Sequence, residues 1–499
     1  MIPLLRRVAF FALLCGWFLL LGGYLFLDPV LLSLGTFLVG AGYAARQYTH
    51  PDPGSFDAPA LYCLFAGFWF GLSNFAGYVS RDGRFEDVFW DWQSDDHIPL
   101  GQALGSLAVV VPLAVDAVYR GLRRGRPLAV PGNRWDLSFA PARAVAAALL
   151  LAGATWTFRL FGIDGDGLGT FQVFMLQGAN AAIFLLVLLL LDGSVEPRRR
   201  RFVLGSAALI LLAEIYFGVF FSFMRERTFW PLFSLGMPFL LRRRIDLRTG
   251  VALACALAAF AVLFQVLGET RGARVTGGAK ADLLARELTS GEAGGRTADS
   301  IIGRVEEGGA NLLARTSTFN QLSQVVRLAE EDGFYGGETL SYLAYVFIPR
   351  FVWPEKPLVV TGRWFAEKIG RGYYRTGGEF TNSVNITPVG EFYLNFGWAG
   401  AVAGMAVLML LLRVLWDAAR FVDRPLNPVG QSIALLALQV CVFTGSHAGV
   451  LVDLFTKLLM LLLANGALAL LAGRGSRGGS TVVPVSSPVG GSPGAGRTA

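Results

Sequence analysis

The feature that most constrains this chain is a succession of apolar runs, most of them as long as a membrane-spanning helix. A helix needs roughly 20 apolar residues to cross the hydrocarbon core of a bilayer. About twelve segments qualify, at 8–27, 30–46, 59–80, 100–119, 140–161, 168–191, 202–222, 228–241, 250–267, 389–412, 429–446 and 450–472. With 54% hydrophobic and 16% charged residues, the chain is no ordinary soluble enzyme. We predict an all-α polytopic membrane protein with about twelve transmembrane helices.

The basic residues predict which loops lie in the cytoplasm, because arginine and lysine near span ends are retained there. Every second loop is basic, with arginines at 46, 120–134, 198–201, 242–248 and 413–424, while the loop at 82–97 is acidic. Arg6 and Arg7 precede the first run, which is too long for a signal peptide. An even number of spans then places both termini in the cytoplasm. Cys15, Cys63, Cys255 and Cys441 all fall in apolar runs, where they resemble small core residues.

This pattern divides the chain into four parts. Residues 1–267 form a nine-span membrane part, 268–388 a large outer loop, 389–472 a three-span membrane part, and 473–499 a disordered cytoplasmic tail rich in Gly, Ser and Pro. The eighth run contains Pro231 and Pro238, so it is either kinked or takes its first turns from the preceding 225–227 segment.

The second half of the outer loop is patterned as an amphipathic helix. Between Asn311 and Asp332, apolar residues recur at three- and four-residue steps, at Leu312, Phe319, Leu322, Val326 and Ala329. Arg315 lies within this stripe. It either snorkels to the rim or pairs with a carboxylate or a phosphate.

A proline-braced turn at 348–357 holds Arg350 and Lys356 near the expected outer membrane surface. From 350 to 375 the chain has two acidic residues against six basic ones, which are Arg350, Lys356, Arg363, Lys368, Arg371 and Arg375. Such a cluster suits a phosphate or pyrophosphate, since planar guanidinium groups match its geometry. The alternative is attraction to anionic lipid headgroups.

Three polar residues near or within spans are candidates for chemistry. Glu391 shares a helical face with Asn395 and Trp398, and it either accepts a proton from a hydroxyl or pairs with an arginine. His447, in the predicted last outer turn, is a second candidate proton acceptor or a structural histidine. Glu214 lies deep in the seventh run, where an ionisable residue is a functional candidate.

Part of the sequence resembles a known family. The segments Ile348-Pro349-Arg350, Trp353-Pro354, Lys356-Pro357 and Gly390-Glu391, followed by Tyr393 and Asn395-Phe396-Gly397, resemble the Wzy-type O-antigen and oligosaccharide repeat-unit polymerases of bacterial inner membranes. The resemblance covers about 315–400. It implies a periplasmic glycosyltransferase that moves a growing glycan from undecaprenyl pyrophosphate onto a new lipid-linked repeat unit, with O-antigen or exopolysaccharide as product.

The resemblance also implies a role for periplasmic arginines, which fits Arg315 and Arg350. The chemistry of the leaving group makes these two the first candidates to hold the pyrophosphate, with Arg363, Arg371 and Arg375 as weaker candidates, and Glu391 or His447 would take the proton of the acceptor hydroxyl. Further candidates are Lys356, Asn395, Glu214, and Arg225, which has an Arg–Gly spacing with Gly236. Neither a metal nor another cofactor is required, because guanidinium groups can stabilise the departing diphosphate.

The implied partners are the lipid-linked oligosaccharide, membrane lipid and a regulator of chain length, but not nucleic acid. Two alternatives remain open: a ligase that transfers finished glycan to another acceptor, and a twelve-span transporter or flippase. Acidic groups at Asp164 and Asp166, and at 91–97, could bind a cation, although such residues are more often parts of turns.

Overall fold

The computed structural model describes 2–51, 56–80, 95–123, 141–160, 178–193, 195–220, 226–242, 308–314, 316–345, 352–357, 361–371 and 383–419, with a few isolated residues between and after them. These residues are mostly helical and contain no strand. Six of their helical segments are long and apolar enough to cross a membrane. The described part of the chain is therefore that of a helical membrane protein.

The described helices are α1 (Ile2–Phe26), α2 (Pro29–Tyr48), α3 (Ala58–Gly67), α4 (Ser73–Val79), α5 (Ile98–Arg123), α6 (Pro141–Leu160), α7 (Gly178–Leu191), α8 (Pro197–Phe220), α9 (Glu226–Leu241), α10 (Phe319–Glu331), α11 (Thr361–Lys368) and α12 (Pro388–Ala419). A π-helical turn, Phe68–Leu72, joins α3 to α4 into one span. Short 3₁₀ turns occur at Asp95–His97 and Glu338–Ala344.

Helices α1 to α9 overlap the first eight predicted runs, and α12 overlaps the tenth. The runs at 250–267, 429–446 and 450–472 lie almost entirely outside the described residues, so the number twelve stays a prediction. The eighth run begins at Glu226, and its first turn does come from the 225–227 segment, with Pro231 and Pro238 inside the helix.

Glycines bring the first helices into close contact. A Cβ atom at Gly35 would lie 2.8 Å from the Leu20 nitrogen, and one at Gly71 would lie 2.5 Å from the Phe37 nitrogen. Membrane helices have little hydrophobic drive to associate, so small residues that permit close backbone contact stabilise their packing. Helices α1, α2, α3–α4, α5 and α12 form this first group.

A second group consists of α6, α7, α8 and α9, whose shared core includes Ala148, Leu186, Val203 and Ile210. Residues of α7 and α9 also contact the first core. The rings of Phe65 and Phe233 lie 6.3 Å apart between α3 and α9.

The described residues of 308–371 belong to the loop that the sequence predicts to face outward, and we call them the outer segment; they pack against the first group. Helix α10 packs between α5 and α12, with Leu322 and Val326 fully buried, as the predicted stripe requires. The predicted single helix over 311–332 is nevertheless wrong, because the chain is not helical at Ser317 and Thr318. Ser317 Oγ and Thr318 N both donate to Asn74 Oδ1, at 3.0 and 2.8 Å, and these bonds compensate for the helical ones lost.

The first group has two ends, which we name by their buried carboxylates. The Asp57 end holds the start of α3 and the C-terminal ends of α2, α5 and α12. The Glu391 end holds the end of α4, the starts of α5 and α12, and helices α10 and α11. The sequence predicts that the Glu391 end faces outward.

Candidate functional site

The candidate site at the Glu391 end is organised around a break in α12. Gly397 has φ 65° and ψ −156°, a backbone conformation that essentially only glycine adopts. Two carbonyl groups just before the break bind the outer segment: Leu394 O accepts from Tyr335 N at 3.1 Å and Asn395 O accepts from Gly336 N at 3.0 Å. A helix interruption leaves backbone groups in need of partners, and here the outer segment supplies them.

The Asn395 side chain fixes the same junction. Its Oδ1 accepts from Gly337 N at 2.9 Å, while its Nδ2 donates to Thr339 Oγ1 at 2.6 Å and to Glu391 O at 2.8 Å. Because these groups belong to the 3₁₀ turn and to α12, Asn395 clamps the turn onto the helix. The predicted candidate thus has an observed positioning role.

Glu391 is fully buried beneath that turn, and Tyr342 OH donates to its Oε2 at 3.3 Å. Asn395 shares its face of α12, as predicted, but Trp398 does not. The break at Gly397 redirects the chain and leaves Trp398 41% exposed. Because Glu391 has no exposed surface, a substrate hydroxyl could reach its carboxylate only after residues that cover it had moved.

Half-exposed aromatic side chains lie beside this junction. Phe334, Phe396 and Trp398 are 57%, 50% and 41% exposed. Tyr393 connects two of them, with ring centroids 5.9 Å from Phe334 and 5.3 Å from Trp398. Such a patch at a span end is suited to contact with a lipid or an apolar face of a ligand.

The described basic candidates differ in their exposure and in the hydrogen bonds that they form. Arg363 is exposed on α11, whose Phe365 is fully buried in the first core. Lys356 Nζ donates to Ile348 O at 2.9 Å and so helps to close the proline-braced turn. Arg371 N donates to Ala366 O at 2.8 Å just after α11.

An ion pair fastens α11 to the end of α10. Lys368 Nζ lies 2.8 Å from Asp332 Oδ2. The bond from Lys368 holds the pKa of Asp332 below its usual range, and the same bond raises the pKa of Lys368. Tyr335 OH also donates to Asp332 Oδ2, at 2.6 Å. Burial and this bond raise the pKa of Tyr335.

Several predicted site residues lie outside the described residues. They are Arg225, Arg315, Arg350, Arg375 and His447, together with Asp164 and Asp166. The pyrophosphate constellation as a whole therefore stays a prediction.

Glu214 has a clear structural partner. Arg159 NH1 and NH2 donate to its two carboxylate oxygens at 2.7 and 2.9 Å, and Trp156 Nε1 donates to Oε1 at 3.2 Å. The bidentate geometry satisfies a carboxylate buried between α6 and α8. Sequence reasoning missed this pair, because nothing in the sequence indicates that these two helices are neighbours.

A second group of buried charges at the Asp57 end was also missed. Arg120 lies 2.8 Å from both Asp57 and Asp116, and Arg413 contacts Asp57 and, at 3.3 Å, Asp116. Both aspartates are fully buried. The contacts join α3, α5 and α12, so we interpret this group as a structural clasp. Arg413 also lies 3.3 Å from Asp417 on its own helix. The Asp116–Arg120 and Arg413–Asp417 pairs, each four residues apart on one helix, could have been read from the sequence, whereas the contacts between helices could not.

Of the acidic stretch at 91–97, only its end is described. His97 Nε2 lies 2.9 Å from Glu330 Oε2, which connects the start of α5 to the end of α10. Within the ranges that the structure describes, no three His, Cys, Asp or Glu side chains form a group that could hold a metal.

Comparisons with family models, with curated proteins and with solved structures give no match to this chain.

Proposed function

We propose that this chain is a membrane glycosyltransferase that polymerises oligosaccharide repeat units linked to undecaprenyl pyrophosphate. The reaction would take place on the periplasmic face of a bacterial inner membrane. The donor would be the growing glycan on its lipid pyrophosphate, and the acceptor the terminal sugar of a new lipid-linked unit. The products would be O-antigen or exopolysaccharide chains and free lipid pyrophosphate.

The observation that carries this proposal is the ordered layer at the Glu391 end. A segment outside the predicted spans packs against one end of a helix bundle, where its Tyr342 contacts the buried Glu391 carboxylate and exposed aromatic rings lie nearby. A lipid-linked sugar needs a polar site next to an apolar surface, because its glycan is hydrophilic and its lipid must stay in the bilayer. This layer has exposed polar residues, such as Arg363, as well as exposed aromatic rings, such as that of Trp398.

The chemistry needs two functions from the protein. Negative charge develops on the departing pyrophosphate, and arginines held in place can stabilise it electrostatically. Arg350 and Arg315 are the first candidates, with exposed Arg363 after them. The acceptor hydroxyl must lose a proton, for which Glu391 and His447 are the candidates.

A deletion strain tests the proposal in cells. We expect lipid-linked and surface glycan to stop at a single repeat unit, because assembly and export of that unit do not need the polymerase. Long chains that persist but are no longer attached to their final acceptor would indicate the ligase instead.

A transporter is the second candidate, and the break of α12 at Gly397 is the observation that favours it. Interrupted helices are common at transporter binding sites. Loss of every surface intermediate from the same deletion strain, including the single-unit glycan, would indicate a flippase and contradict the polymerase.

Two variants of Arg350 test whether the forked shape of its guanidinium group is needed. Arg350→Ala and Arg350→Lys should both abolish long chains while leaving the protein in the membrane, since lysine keeps the charge but not the paired donors. A normal chain-length ladder in the Lys variant would contradict this role for Arg350.

A further inference from the structure

Helix α8 begins with an unusual concentration of exposed positive charge. Arg198, Arg199, Arg200 and Arg201 are all exposed. Only Arg199 has a carboxylate neighbour among the described residues, Glu196 at 3.7 Å, and both of those side chains are largely exposed, at 62% and 74%. Such an exposed pair contributes little to stability. Because one glutamate does not neutralise four arginines, the patch as a whole retains a net positive charge.

The same side of α8 continues as an exposed apolar stripe. Arg198, Arg201, Gly205, Ala208, Leu212 and Tyr216 follow one another at three- and four-residue steps, and all are exposed. The opposite face, with Val203, Ala207, Ile210 and Glu214, is buried. Within a membrane span, an exposed apolar face contacts lipid.

Small residues make this stripe shallow near its charged end. A Cβ atom at Gly205 would meet nothing within 4 Å, and Ala208 follows it on the same face. Leu204 and Leu209 flank them and are exposed. The surface therefore has a shallow track at Gly205 and Ala208 that leads to the arginines.

We infer that this surface binds an anionic phospholipid, with the headgroup phosphate at Arg198 and Arg201 and an acyl chain along Gly205 and Ala208. Arginine forks match phosphate oxygens, and anionic headgroups are attracted to basic residues at the membrane surface. A free phosphate would use the arginines but not the stripe; a phospholipid uses both. This site is separate from the Glu391 end and does not depend on the proposed glycosyltransferase.

The test compares lipid affinities of the full-length purified protein. Binding of palmitoyl-oleoyl phosphatidylglycerol and of the matching phosphatidylcholine would be measured in neutral detergent by native mass spectrometry. Loss of both arginines in Arg198→Gln/Arg201→Gln should weaken phosphatidylglycerol binding by on the order of tenfold and leave phosphatidylcholine unchanged. The control Arg7→Gln/Arg142→Gln removes the same charge from exposed positions elsewhere and should retain the affinity.

The stripe is tested separately. Gly205→Phe puts a bulky ring in the track, at a position where an added Cβ atom meets nothing within 4 Å, and should weaken phosphatidylglycerol binding severalfold. Inorganic phosphate at millimolar concentration should not displace the lipid. An unchanged affinity in Arg198→Gln/Arg201→Gln, an equal loss in the control, no effect of Gly205→Phe, or full displacement by phosphate would each overturn the inference.

Discussion

Asp57 and Asp116 have no exposed surface, and two arginines from different helices bind them. A buried charge is tolerated when it is paired and becomes costly when its partner is removed. The same rule accounts for Glu214 with Arg159. At the scale of single residues, buried charges thus fix which helices are neighbours, and we assign these groups to stability rather than catalysis.

Removal of one arginine tests that assignment. Arg413→Ala would leave Asp57, Asp116 and Asp417 short of positive charge, and we expect a loss of about 3–5 kcal/mol in the free energy of unfolding. The measurement is equilibrium unfolding of the purified protein in mixed micelles.

Arg199→Ala is the matched control, since this arginine forms only an exposed pair and its loss should cost less than about 1 kcal/mol. Equal stability of the two variants would show that the clasp contributes nothing beyond surface charge.

The sequence could predict the relative positions of some of these residues but not of others. Glu391 and Asn395 were predicted to share a face, because one helix carries both at a four-residue spacing. The contacts of Glu214 with Arg159 and of Asp57 with Arg413 join residues far apart in the sequence. Such contacts depend on helix packing, which periodicity does not specify.

At the scale of helices, the break in α12 makes backbone carbonyl groups available that a continuous helix would bond internally. It exposes carbonyl groups that Tyr335 N and Gly336 N bind, and so it attaches the outer segment. The apolar run at 389–412 predicted the span but not its interruption, since glycines also occur in unbroken membrane helices. The sequence also did not predict that Ser317 and Thr318 would be non-helical, because their binding partner, Asn74, belongs to a distant helix.

Gly397→Ala tests the importance of the break. The Gly397 backbone angles disfavour any side chain by about 1–3 kcal/mol, and the new Cβ would lie 2.9 Å from Phe334 Cζ. We expect lower stability and loss of long glycan chains. Gly153→Ala, in open space on α6, should be neutral or slightly stabilising. Glycan chains of normal length in Gly397→Ala would show that polymerisation does not require the break in α12.

The link between α11 and α10 should depend on pH. Asp332 has a lowered pKa, so its contribution is present above its ordinary value of 3.8 and is lost as the pH falls through the lowered pKa. Lys368 has a raised pKa, so its contribution is present below 10.5 and is lost as the pH rises through the raised pKa.

Hydrogen exchange over 361–371, corrected for intrinsic rates, should therefore show greatest protection around neutral pH. Asp332→Asn should reduce the protection at pH 7 and abolish its loss in acid. If wild-type and variant profiles coincide, the ion pair does not hold α11 in place.

At the scale of the whole molecule, two polar contacts at opposite ends of the first group can be set against the predicted topology. Tyr43 binds Asp116 at one end, whereas His97 binds Glu330 at the other. In each case the predicted topology places both residues on the same side. Charge distribution along the sequence predicts an alternating path, because the retention of basic loops in the cytoplasm is a local rule, and this path stays a prediction. It could not predict that the outer segment would be buried between α5 and α12.

Cysteine labelling tests which end faces outward. In a background without the four native cysteines, a cysteine at Arg363 should react with a membrane-impermeant maleimide added to intact spheroplasts, because this position is exposed at the Glu391 end. A cysteine at Arg199 should react only after the membrane is opened. The reverse pattern would invert the topology and place the proposed reaction in the cytoplasm.

The most direct measurement is an assay of the purified full-length protein in liposomes supplied only with repeat units on undecaprenyl pyrophosphate. We expect a ladder of products that differ by one repeat unit, and we expect no ladder with Glu391→Gln, because this variant lacks the carboxylate proposed to take the proton of the acceptor hydroxyl. If the folded wild-type protein yields no product longer than a single unit, the central proposal is contradicted.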